Sequence, residues 1–162
     1  ISSKPRCETR MPKKYCCVFL CLALLNHIPA SAAEKNHTVT LTQGWVRETP
    51  PSTPNAAAFL TLQNASAAPK YITAIQCSDA AARCELHEHL HTENGGMRMQ
   101  QVTSPLAVPA NGALVFAPGG YHIMLFDIKK SLRAGETVTL TFVFDDQSQL
   151  TVQLPVKSIR AE

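Results

Sequence analysis

What this 162-residue chain lacks narrows its class before any motif is read. No stretch approaches the roughly twenty consecutive apolar residues that cross a bilayer as a helix. The longest strongly apolar run, Cys16 to Leu25, has ten. It follows Met11, Lys13 and Lys14 and precedes Ala30-Ser31-Ala32, the A-x-A form of a signal-peptidase site. Residues 11–32 therefore read as a secretory signal peptide, and residues 1–10 as an upstream leader with no structural role. Residues 33–162 are left as a single domain with no membrane span, long enough for a core of its own. Lipid attachment at Cys21 is disfavoured, because Leu20 before it is not the small residue such a site needs.

Cysteine and net charge are scarce once that leader is set aside. Five basic residues and one acidic residue go with it, so the remainder carries 10 basic and 11 acidic residues, a net of −1. The basic balance of the whole chain belongs to the leader, and no nucleic-acid footprint survives. Four of six cysteines go as well, leaving Cys77 and Cys84. An isolated pair seven apart in an exported protein reads most simply as a structural disulfide, since a redox dithiol is spaced more tightly.

Amphipathic segments long enough for a major helix are also missing. From His37 onward the chain reads as short strands rich in β-branched and aromatic residues: HTVTLTQGWV, AAFLTLQN, PKYITAIQC, CELHEHLH, MRMQQV, ALVF, YHIMLF, ETVTLTFVF and QLTVQLPV. Turn-formers such as Pro50-Pro51, Asn94-Gly95-Gly96, Pro118-Gly119-Gly120 and Asp145-Asp146 separate them. Eight or nine strands of this kind make an antiparallel sandwich or barrel. Val138, Leu140, Phe142 and Phe144 share one face by alternation, Leu60 and Leu62 oppose Phe59 and Thr61, and Trp45 is expected to anchor the core.

What the chain does have is an unusual concentration of histidine and methionine. Four of six histidines (His87, His89, His91, His122) and three of four methionines (Met97, Met99, Met124) fall between Glu85 and Met124. Within each cluster they sit two residues apart, the spacing that aims side chains to one face of a strand. If Glu93-Asn94-Gly95 form a three-residue turn with Gly95 left-handed, His91 opposes Met97 and His89 opposes Met99, with His87 diagonal to Met99. A two-residue turn throws the methionines to the other face. Each residue alone is ordinary packing or surface, but together they form a soft imidazole–thioether set without thiolate, suited above all to Cu(I). No cysteine near His122 supplies the thiolate of a blue-copper centre. Of the carboxylates nearest the histidines, Glu88 alternates to the opposite face and Glu93 falls in the turn, so the site reads as a carrier and not an enzyme.

The segments GWVRETPPSTPNAAAFLTLQN, ELHEH, GGMRMQQV and PGGYHIMLFDIKKSLRAGETVTLTFVF resemble the PCuAC family of periplasmic copper chaperones, over roughly residues 37–156. The resemblance implies an all-β, cupredoxin-like Greek-key antiparallel β-sandwich. It also implies one Cu(I) held by His87, Met99, His122 and Met124, a monomer, and a periplasmic location in a Gram-negative bacterium. The implied task is delivery toward the CuA centre of cytochrome c oxidase, with its CuA subunit or a Sco-like thiol oxidoreductase as partner. His89 departs from the family pattern, which usually has methionine there. His89, His91 and Met97 are additional candidate ligands, and the two histidines suit Cu(II) at a further His-rich site. A periplasmic scavenger or store uses the same site chemistry, and a copper or zinc enzyme built on His87, His89 and His91 is a third reading.

Overall fold

The computed structural model describes residues 38–158, and within them the chain is strand after strand with no helix. The expectations for residues 1–10 and 11–32 lie outside the described residues. The ten strands are β1 (Val39–Arg47), β2 (Asn55–Asn64), β3 (Lys70–Gln76), β4 (Ala81–His91), β5 (Met97–Gln101), β6 (Leu106–Val108), β7 (Ala113–Phe116), β8 (His122–Ile128), β9 (Thr137–Phe144) and β10 (Gln149–Lys157). The strand unforeseen in the sequence is β6, three residues between Pro105 and Pro109, too short to show a period. No helix among the described residues is long and apolar enough to cross a membrane.

Hydrogen bonding orders the strands β5-β4-β8-β2-β1-β10-β9-β3-β6, with β7 also on β2. Neighbours in space are mostly not neighbours in sequence, as a Greek-key sandwich requires. Antiparallel pairing holds throughout except where Val46 and Arg47 of β1 run parallel to Val156 and Lys157 of β10. That short pairing joins the two sheets at a corner.

The core is made by one face of each sheet. Alternation buries Leu150, Val152, Leu154 and Val156 on β10 and Val138, Leu140, Phe142 and Phe144 on β9. They share one apolar cluster with Ala56, Ala58, Leu60 and Leu62 of β2 and Ile123 and Leu125 of β8. Gly44 is needed at its place in β1, because a Cβ there would lie 2.6 Å from Leu154 Cδ2 and 2.9 Å from Leu60 Cβ. Cys77 and Cys84 are disulfide-bonded, tying the end of β3 to β4. Since β3 lies in one sheet and β4 in the other, the bridge crosses the sandwich next to the strand that carries the histidines.

Trp45 does not anchor this core. It is half-buried on the opposite face of β1, with its ring centroid 4.8 Å from that of Phe59, its cross-strand partner. The expectation failed because Trp45 shares its face with Phe59 and not with Leu60. A strand buried on both sides gives no sign of which side is the core. Phe59 is itself buried on that outer face by Trp45, by the Arg47 guanidinium 5.8 Å above its ring, and by His122.

Candidate metal centre

The outer face of β4, β5 and β8 is where histidine and methionine collect. The hairpin between β4 and β5 closes through a three-residue turn: Thr92 N–H donates to Gly96 O at 2.9 Å, Gly95 N–H donates to Thr92 O at 2.9 Å, and Gly95 takes φ 76°. The resulting register sets His91 opposite Met97, His89 opposite Met99 and His87 opposite Gln101. Both methionines therefore share the histidine face, as the odd-length loop demands. On the other edge of β4, His87 pairs with His122, Glu85 with Met124, and Leu86 with Ile123. Leu86 and Ile123 turn toward the core, so Glu85, His87, His122 and Met124 turn outward together.

His122 is the centre of this face. It is 3% exposed. Its Nδ1–H donates to the carbonyl of Gly120 at 3.0 Å, which fixes the tautomer and leaves the Nε2 lone pair free. That lone pair faces Met99 Sδ at 3.2 Å. A metal bound to nitrogen at roughly 2.0 Å and sulfur at roughly 2.3 Å with a tetrahedral angle sets the two donors about 3.5 Å apart. The observed separation is thus close to that of two ligands sharing one ion. Burial lowers the His122 pKa, with smaller contributions from neighbouring His89 and His87, and these outweigh the opposing effect of the Gly120 carbonyl. The ring is consequently neutral at neutral pH, the form that binds metal.

The other two imidazoles of β4 are arranged around it. The His89 ring stacks on His122 with centroids 4.7 Å apart and planes 24° from parallel. The His87 ring lies 5.9 Å from His122 and 5.8 Å from Phe126. His87 is 8% exposed, and its Nε2–H donates to Glu85 Oε2 at 3.0 Å. The Glu85 pKa is lowered, mainly by that hydrogen bond, so the acceptor is a carboxylate. Nδ1 of His87 and Nδ1 of His89 are buried with no hydrogen-bond partner. A buried unpartnered imidazole nitrogen is costly unless something binds it. Two of them on the face that carries the His122–Met99 pair fit a site built for a metal.

The remaining candidates sit farther out. Met99 is 45% and Met97 57% exposed, and His91 is exposed at the hairpin tip. Met124 is half-buried two residues beyond His122, opposite Glu85 and Ala57, and lines a groove with Arg47, Pro50, Thr53 and Asn55. Among the described residues, no three His, Cys, Asp or Glu side chains converge as a metal cage.

Sequence reasoning missed Glu85 and the Gly120 carbonyl. Glu85 shares parity with His87, so its face is readable from alternation, but no local signal marks it as the partner of a ring nitrogen. The Gly120 contact depends on the β4–β8 pairing, for which no local signal exists.

The LpqE-like family model, described as "Putative lipoprotein LpqE-like", matches residues 39–156. The protein Lxx21020 of Leifsonia xyli subsp. xyli is 35% identical over 134 residues, covering 81% of this chain and 78% of that one. Among solved structures, Cu(I)-DR1885 of Deinococcus radiodurans is 34% identical with a TM-score of 0.56, covering 71% of this chain and 75% of that one. The copper-bound PCuAC domain of PmoF2 is 19% identical with a TM-score of 0.61, covering 75% and 93%. The second of these likenesses is one of fold.

Proposed function

This chain belongs to the LpqE-like family, and from that membership and the donor face of β4, β5 and β8 we propose that it is an exported copper chaperone. It binds one Cu(I) through His87, Met99, His122 and Met124. The single observation that carries this reading is the His122 Nε2 lone pair set 3.2 Å from the Met99 thioether by a backbone hydrogen bond on the other ring nitrogen. Cu(I) in the similar solved structure of DR1885, 34% identical to this chain, supports the choice of metal. Thioethers are neutral and soft, favour Cu(I), and form no disulfides in an oxidising compartment.

Transfer is by ligand exchange and needs no catalytic acid or base. Met99 lies on the outermost strand, half open to solvent, where an acceptor's ligand can approach while the imidazoles hold the ion. The acceptor is the CuA subunit of cytochrome c oxidase or a Sco-like thiol oxidoreductase, reached in the periplasm after the 11–32 signal is removed. Mass spectrometry of the mature protein distinguishes cleavage after Ala32 from lipid attachment at Cys21.

Titration of the purified mature protein with Cu(I) against a chromophoric competitor tests the ligand set. Tight one-to-one binding is expected in the wild type, and its retention in the Met99→Ala, Met124→Ala double variant overturns the assignment. A scavenging role uses the same site. Normal CuA assembly at limiting copper in a strain lacking the protein, together with lowered copper tolerance, decides for scavenging. An enzyme using His87, His89 and His91 gains no support from the geometry, since His91 lies exposed at the hairpin tip.

A further inference from the structure

We infer that Glu85 is a positioning residue that makes His87 a ligand through Nδ1, so that the two buried imidazoles of the site present different ring nitrogens to the metal. The inference rests on the copper-binding reading above. A neutral imidazole carries one N–H and one lone pair, and whichever nitrogen donates to a neighbour leaves the other to bind. His122 donates through Nδ1 to Gly120 O and keeps Nε2 free. His87 does the reverse: Nε2–H is committed to Glu85 Oε2 at 3.0 Å, and Nδ1 is buried without a partner.

The carboxylate that sets this choice is itself held. Arg83 Nε donates to Glu85 Oε1 at 3.0 Å, and the same guanidinium reaches Asp127 Oδ2 at 3.4 Å. Its Cζ lies 4.3 Å from the centroid of the Phe126 ring, which in turn flanks His87 at 5.8 Å. Arg83, Glu85, His87 and Phe126 stand on the outer face in cross-strand register, Arg83 opposite Phe126, Glu85 opposite Met124 and His87 opposite His122. One carboxylate oxygen is thus anchored by Arg83 and the other aims the imidazole. Carboxylates that orient a ligating histidine in this way also raise its basicity, and their loss typically weakens metal binding by roughly 10–100-fold.

Two measurements on the mature protein test this. In the metal-free protein at neutral pH, long-range proton–nitrogen NMR correlations should report His87 as the Nε2–H tautomer and His122 as the Nδ1–H tautomer. Glu85→Ala should erase the His87 preference and lower Cu(I) affinity by roughly 10–100-fold. Glu85→Gln, which keeps an acceptor oxygen, should restore the tautomer and most of the affinity. A wild-type His87 in the Nδ1–H form overturns the inference, as does unchanged affinity in Glu85→Ala. His87→Ala separates the two levels: lowered affinity there with none in Glu85→Ala defeats only the positioning role, whereas unchanged affinity in His87→Ala defeats the ligand assignment as well. Backbone amide shifts away from β4 and β8 should be the same in all variants, and a general shift change in Glu85→Ala would mark a folding defect and overturn the specific role.

Discussion

His122 and Met99 are 23 residues apart in sequence, yet Nε2 and Sδ stand 3.2 Å apart across the face of two strands, β8 and β5, that do not pair with each other. β4 lies between them and brings the two donors together. The separation therefore depends on two registers at once, β4 with β5 and β4 with β8.

That dependence makes turn length decisive. Removing Gly96 shortens the β4–β5 connection and shifts β5 by one residue, which exchanges Met97 and Met99 for Arg98 and Gln100 on the donor face. Cu(I) affinity measured by competition should fall by more than about tenfold, as expected when a ligand is lost. The thermal midpoint should change little, because β5 is exposed along its whole length and adds nothing to the core.

His89 and His91 should differ in their effect on Cu(II). His89 stacks on His122 and has a buried unpartnered Nδ1, whereas His91 projects from the hairpin end. His89→Ala should lower Cu(II) affinity about tenfold or more by isothermal titration, and His91→Ala should leave it within about twofold. Equal losses would place both on the metal.

Acidification should cost the metal-free protein stability through His122. Its folded pKa lies below the ordinary value near 6.5, chiefly through burial. The neutral ring's contribution is complete above about pH 6.5 and is lost as pH falls from there through the lowered folded value, because the unfolded chain takes up the proton first. Thermal unfolding followed between pH 7.5 and 4.5 should show a smaller loss on acidification in His122→Gln than in the wild type. Equal losses would mean that His122 does not carry the effect.

Replacing Cys77 and Cys84 together by serine removes a short cross-link between the sheets. The loop they close is small, and chain entropy alone gives a loss of about 2.5 kcal/mol. Denaturant unfolding should show that loss. Cu(I) affinity should fall far less than in the methionine variants, since neither sulfur is part of the donor face.

Local alternation was enough to read the donor face and most of the core. The residues at 87, 89, 91, 97 and 99 could be aligned because a tight turn with a left-handed glycine transmits register over a few residues. Val138 to Phe144 and Leu60 to Leu62 were likewise legible from period two. Trp45 was not, because β2 is apolar on both sides and the outer layer of Trp45 and Phe59 looks the same as core in sequence. Glu85 had the right parity, but its role depends on the Arg83, Phe126 and Asp127 side chains, which cross-strand pairing with a distant segment supplies. The parallel contact of β1 with β10 joins the two ends of the fold and has no local signature.

The position of β5 at the end of the sheet divides the proposed site into a fixed half and a releasable half. His87 and His122 belong to strands paired on both sides, and moving either means disturbing β2, β4 or β8. Met99 belongs to a strand bonded along one edge only, all of its residues exposed. Its thioether can swing away at the cost of a few peripheral contacts. If the proposed site holds an ion, its grip would be graded by distance from the sheet's margin, and the weakest point of the clasp would be the one a recipient meets first.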